Sequence, residues 1–119
     1  MDRSKLEQVL MNAVMNSRAA MPSGGRLTIG TSAEPDGEFV DLTITDTGCG
    51  MAPEVAARAF EPFFTTKGRG NGTGLGLATA YGVVTDVGGM ISLESQPDQG
   101  TTVRVRLPAE APVKLTLGR

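Results

Sequence analysis

Two stretches of this chain alternate apolar and polar residues around a tight turn, and that pattern limits the fold more than any other feature. Leu27 and Ile29 alternate with polar neighbours, Asp36-Gly37 supplies a turn, and Val40, Leu42 and Ile44 then alternate with Asp41, Thr43 and Thr45 up to Asp46. The pattern recurs in Met90–Ser95 and Thr101–Leu107, joined at Pro97-Asp98-Gln99-Gly100 and closed by Pro108. Successive side chains on a strand point to opposite faces, so each hairpin has one apolar face to bury. Tight turns pair neighbouring strands antiparallel.

Helical spacing appears between the hairpins and before them. From Ser4 to about Met21 the apolar residues Leu6, Val9, Leu10, Ala13 and Val14 recur at helical intervals. Asp2 or Ser4 can cap the start, with Glu7 completing a capping box after Ser4, and Pro22-Ser23-Gly24-Gly25 ends the helix. Pro53 through Phe60 reads as a short helix with proline at its first position, and Glu61 to Asn71 as a loop. A further helix runs from about Leu75 to Val87, with Leu77, Ala78, Tyr81 and Val84 on one face and Gly88-Gly89 at its end. The helices must share one side of the sheet to bury their apolar stripes. The expected class is α+β, a two-layer α/β sandwich, over residues 1–108, with 109–119 as a tail or linker.

The chain has 119 residues, enough for one domain that buries about two thirds of its unfolded surface. The net charge of -2 argues against general nucleic-acid binding, which needs a basic patch. No stretch approaches the ~20 apolar residues of a membrane span, and no signal peptide is visible. The expectation is a domain with no nucleic-acid partner and no membrane contact of its own. Cys49 is the single cysteine, which favours a reducing, cytoplasmic setting, and the chain has no histidine. Ser/His and Cys/His catalysis are therefore excluded, as is phosphorylation of a histidine within this chain. A phosphate ligand would depend on local cations, with Arg18, Lys67 and Arg69 the candidates.

Four segments carry candidate chemistry, and each has a plainer reading. Glycines number 16, about twice the usual ~7%. They cluster most in Gly70-Asn71-Gly72-Thr73-Gly74-Leu75-Gly76, at a helix start where free N–H groups can bind an anion. A flexible loop is the alternative, and neither the P-loop nor the dinucleotide fingerprint fits. Asn12 and Asn16 stand one turn apart on a helix flank. They offer neutral oxygens to Mg²⁺, or simply bond nearby backbone. Asp46 ends a strand before Thr47-Gly48-Cys49-Gly50, where its carboxylate can accept from an exocyclic amine or form an ordinary turn. Phe60-Glu61-Pro62-Phe63-Phe64-Thr65-Thr66-Lys67 reads as a loop anchored by aromatics that presents Lys67 to a phosphate, or as a hydrophobic plug.

Taken in order, these segments resemble the N, F and G boxes of sensor histidine kinases, within the ATPase group that includes gyrase, the Hsp90 chaperones and MutL. The resemblance covers roughly Leu6 to Pro108. It implies a Bergerat-type fold, with a mixed, mostly antiparallel sheet and helices on one face, lacking the strand usually found before the first helix. It implies ATP and Mg²⁺ as ligands. Asn16 would hold the metal, with Asn12 beside the nucleotide, and Asp46 would read the adenine amino group between Gly48 and Gly50. Thr101 would assist on the last strand. Phe63, Thr65, Thr66 and Lys67 would belong to the lid, in a version similar to that of nitrogen-regulation-type kinases. Gly72, Thr73, Gly74, Leu75, Gly76 and Leu77 would form the phosphate loop, and Lys67 and Arg18 would neutralise charge during transfer.

Hydrolysing relatives carry Glu where this chain has Asn12, and Asn cannot act as a general base. The resemblance therefore implies a kinase that passes the γ-phosphoryl group to a histidine on a separate dimerisation domain, upstream of a response regulator. The parent would be cytoplasmic or membrane-anchored, and the chain an excised domain or a free-standing remnant. An anti-sigma-type serine kinase and a non-catalytic ATP-gated module share the motifs. The kinase motif often reads Asn-Ala-Arg-Asp-Ala; Ala19 stands here in place of the Asp, which lends weight to the third reading.

Overall fold

The structure, a computed structural model, describes residues 3–35, 37–61 and 76–109. Helix α1 spans Arg3–Ala19, strands β1 and β2 span Leu27–Ala33 and Phe39–Asp46, and α2 covers Pro53–Ala56. Helix α3 covers Gly76–Asp86, and strands β3 and β4 span Met90–Gln96 and Gly100–Pro108. The strands form one sheet in the order β1-β2-β4-β3, and all three pairings are antiparallel. The expected sandwich with helices on one face is found, and the described strands contain no parallel pair.

Register decides which side chains meet. Leu42 pairs with Val105, which pairs with Ile91; one rung on, Ile44 pairs with Val103, which pairs with Leu93. These rungs face α1 and α3, and the core joins them to Val9, Ala13, Ala80 and Val84. Burying each large aliphatic here stabilises the fold by about 1.5–3 kcal/mol. Ala13 and Ala80 are fully buried, and their small side chains let the two helices approach closely.

The opposite face is polar and carries a charge cluster. Arg106 lies directly across from Asp41 in the register. It donates to Asp41 at 3.0 Å and to Glu34 at 2.6 Å, and its guanidinium sits 5.5 Å from the centre of the Phe39 ring. The hydrogen bond from Arg106, with its charge, holds the Asp41 carboxyl below the usual carboxylate range.

Chain ends and turns follow their local chemistry. Gly88 takes φ +83 after α3, and Gly89 N–H donates back to the Val84 carbonyl at 2.9 Å. Together with the Gly88 N–H bond to Thr85, this is a Schellman closure.

Several expected details are corrected. Helix α1 is already formed at Arg3, so Ser4 lies inside it rather than capping it, and Glu7 pairs with Arg3 at 3.4 Å. Helix α2 stops at Ala56, not Phe60; beyond it Arg58 and Ala59 bond three residues back, a tighter winding. Tyr81 is half-exposed and packs on Phe60 with ring centres 5.6 Å apart, while Ala80 takes the core position. Leu27 and Ile29 point to the helix side yet remain exposed, because β1 is a sheet edge and the helices lie over β2, β4 and β3.

Candidate nucleotide site

The apolar rungs end in a polar one. Asp46 pairs with Thr101, and Thr101 pairs with Ser95, so three polar side chains cross the inner face on adjacent strands. Asp46 and Thr101 are 3% and 4% exposed, values at which an unpartnered polar group would be costly. Partners are supplied. Asp46 Oδ1 accepts from the Gly48 N–H at 2.8 Å, an Asx turn that fixes the carboxylate. The Ser95 and Thr101 hydroxyls lie 2.7 Å apart, and Ser95 also accepts from the Met51 N–H at 2.8 Å.

These residues border an open groove of about 560 Å³ at the end of the sheet, which Leu93, Ala56 and Gly100 also line, with Thr45, Glu94 and Thr102 from the outer face. That volume is in the range of small-ligand sites, and its walls are mainly polar, with hydroxyls and amides around the buried Asp46 carboxylate and Glu94 as a second acidic side chain.

The loop after Asp46 is held by backbone rather than by regular structure. Cys49 N–H donates to the Ala20 carbonyl at 3.1 Å, just past α1, and the Cys49 carbonyl accepts from Asp98 N–H at 2.7 Å in the β3–β4 turn. Gly50 takes φ +67, and a methyl there would overlap the Gln96 carbonyl. Gly100 takes φ +83, and a methyl there would overlap the Asp46 carbonyl. Both positions need glycine for conformation and for space. At Gly48 an added methyl would lie 2.6 Å from the Ala20 carbonyl oxygen.

The remaining expected residues are partly placed. Asn12 and Asn16 are half-buried on α1, and Gly76 at the start of α3 abuts Asn12. Neither asparagine lines the groove just described. Arg18 is exposed in the last turn of α1. Leu77 is buried, so its side chain serves the core and only its main chain is left for a ligand. Phe63, Thr65, Thr66, Lys67, Arg69, Gly72, Thr73, Gly74 and Leu75 lie outside the described residues, as do residues 110–119 of the expected tail. Sequence reasoning missed Ser95 and the fully buried Ser17 on α1. Only part of the signal for Ser95 was local: it ends the inward series Ile91, Leu93, Ser95, but its place beside Thr101 and Asp46 is set by the register.

Comparison with known proteins agrees with this fold. Residues 1–111 match the family described as histidine kinase-, DNA gyrase B-, and HSP90-like ATPase. The chain is 40% identical to the sensor kinase CckA of Brucella abortus over 90% of its own length and 13% of that protein's. It is 38% identical to sporulation kinase B of Bacillus subtilis, over 93% of this chain and 25% of the kinase. The chain thus spans a quarter or less of these curated relatives. Among solved structures, the mycobacterial sensor histidine kinase MprB superposes with a TM-score of 0.78 at 32% identity, covering 92% of this chain and 74% of that one. Full-length ShkA, in complex with AMPPNP, gives a TM-score of 0.80 at 32% identity, covering 94% of this chain and 23% of ShkA. With the motifs, the fold and these relatives in agreement, the chain belongs to the histidine kinase-, gyrase B- and HSP90-like ATPase family, as an ATP-binding catalytic domain of the sensor histidine kinase kind.

Proposed function

We propose that this domain holds ATP with its adenine against the Asp46–Thr101 end of the sheet and passes the γ-phosphoryl group to a histidine on a separate dimerisation domain, upstream of a response regulator. The observation that carries this reading is the buried Asp46 carboxylate, oriented by the Gly48 N–H at 2.8 Å and bordering the groove. It is an acceptor-only group, suited to an exocyclic amine.

Mg²⁺ fits the donors present. No group of three or more His, Cys, Asp or Glu able to hold a metal occurs among the described residues. A metal bound here would therefore rest largely on phosphate and water, with the Asn16 amide oxygen as the protein's contribution, which is how Mg²⁺ is commonly bound. When bound, it neutralises charge on the transferring phosphates. Arg18, Lys67 and the glycine segment from Gly72 to Gly76 would add cations and main-chain N–H groups on that side. Asn12 supplies no general base, so water is poorly activated and the acceptor comes from outside. In the transfer, the bond from the γ-phosphorus to the ADP oxygen breaks as a bond to an imidazole nitrogen forms, and that imidazole loses its proton.

No helix among the described residues is long and apolar enough to cross a membrane. A cytoplasmic setting, with any membrane anchor in the parent protein, accords with the single cysteine.

Ala19 favours a second reading, in which nucleotide only gates an interface. One assay separates the two: the domain is mixed with a dimerisation fragment that carries a histidine, and with labelled ATP and Mg²⁺. The kinase reading expects acid-labile, alkali-stable phosphate on the fragment. Magnesium-dependent nucleotide binding without transfer at any ratio supports the gated module, and no binding at all by calorimetry sinks both.

A further inference from the structure

Ser95, whose hydroxyl lies 2.7 Å from that of Thr101, has no part in the roles assigned so far. We infer that Ser95 is a positioning residue that sets the polarity of the Thr101 hydroxyl and so presents a hydrogen-bond donor to the adenine ring nitrogen. The inference rests on the nucleotide reading above.

Each hydroxyl carries one hydrogen and can accept two bonds. Ser95 Oγ already accepts from the Met51 N–H at 2.8 Å, and it lies 2.7 Å from Thr101 Oγ1 and 3.1 Å from the Gly100 carbonyl. Two arrangements satisfy these contacts. In one, Thr101 donates to Ser95 and Ser95 donates to Gly100, which leaves Thr101 only an acceptor toward the groove. In the other, Ser95 donates to Thr101 and the Thr101 hydrogen turns outward, free to donate to a ligand.

The base selects between them. The adenine edge places an amino donor beside a ring-nitrogen acceptor. Asp46 can only accept, so it takes the amino group. The ring nitrogen then needs a donor, and Thr101 is next on the same rung. A direct bond from Thr101 to the nitrogen uses the Thr101 hydrogen. Only the second arrangement provides that donor. Ser95 makes it available without stranding the Met51 N–H, and the Gly100 carbonyl gives the Ser95 hydrogen a place when no base is present. Consistent with this, no buried side-chain polar atom among the described residues lacks a partner. Hypoxanthine, with a carbonyl and a ring N–H at that edge, would set an acceptor against Asp46 and a donor against the Thr101 hydrogen.

The test compares ADP with 1-deaza-ADP, in which the ring nitrogen is replaced by C–H, by calorimetry on the wild-type domain, Ser95→Ala and Ser95→Thr. In Ser95→Ala the Thr101 hydroxyl keeps its hydrogen but loses the donor that turns it outward, so the expected result is a roughly fivefold loss of ADP affinity, with 1-deaza-ADP changed less than about twofold. Ser95→Thr, which keeps the hydroxyl, should return ADP affinity to within about threefold of wild type. An equal loss for both nucleotides would mean that Ser95 merely steadies the Met51 loop, and the inference fails; so it does if Ser95→Ala binds ADP unchanged. A wild-type domain that binds neither nucleotide overturns the nucleotide reading itself, a separate failure.

Discussion

At the scale of single residues, the site depends on a few groups that tolerate no substitute. Asp46→Asn keeps an oxygen for the Gly48 N–H but places an amide where only an acceptor works. It is expected to weaken ADP binding by roughly 10- to 100-fold, measured by calorimetry, with the far-ultraviolet circular dichroism unchanged. Gly100→Ala is different in kind: it asks an L-residue to adopt φ +83 and drives a methyl into the Asp46 carbonyl. A stability loss of about 2 kcal/mol or more is expected in urea titration, and a smaller loss would show that the turn relaxes easily. Asp46 was visible in the sequence because a carboxylate before two glycines at a strand end is a local pattern. Ser95 was not singled out, because its meaning depends on the register that sets it beside Thr101, and register is a long-range fact.

At the scale of elements, the helices are located by the sheet as much as by their own sequences. Helix α3 buries Leu77, Ala80 and Val84, and Ala80 lies in the core with Ala13 of α1. Ala80→Leu is expected to cost about 2 kcal/mol by overpacking and to lower the melting temperature by several degrees. Because Gly76 abuts Asn12 where the helices meet, the same variant should weaken magnesium-dependent nucleotide binding. Unchanged affinity in a destabilised but folded variant would show that the helix spacing does not reach the asparagines. Both hairpins were legible because period-two alternation punctuated by glycine is local; Asp36 of the first expected turn lies outside the described residues. The burial of Tyr81, Leu27 and Ile29 was not, since each depends on what packs from elsewhere: Phe60 against the first, and no helix over the other two. The stop of α2 at Ala56 escaped notice for a similar reason, because alanine-rich sequence favours helix without saying where it tightens into turns.

At the scale of the whole molecule, the two faces of the sheet carry separate electrostatics. The outer face holds Arg106 between Asp41 and Glu34, away from the nucleotide side. Since the folded Asp41 carboxyl ionises more readily than in the unfolded chain, its contribution to stability is complete above the unfolded value of about 3.9 and is lost as pH falls through the folded one. Thermal melts of the wild type and Asp41→Asn should therefore differ at pH 7 and converge below about pH 4. A difference that persists undiminished to pH 2 would assign the effect to packing. The inner face leads instead to the loop that joins α1, the sheet and the β3–β4 turn, and that loop has a corollary for how such a chain can vary. Positions 46, 48 and 50 are constrained by a carboxylate or by crowding against carbonyls, whereas exposed Cys49 contributes only main-chain bonds. Saturation mutagenesis should find Cys49 open to many residues and its two glycine neighbours closed, a tolerance that rises and falls every second position where the chain is neither strand nor helix.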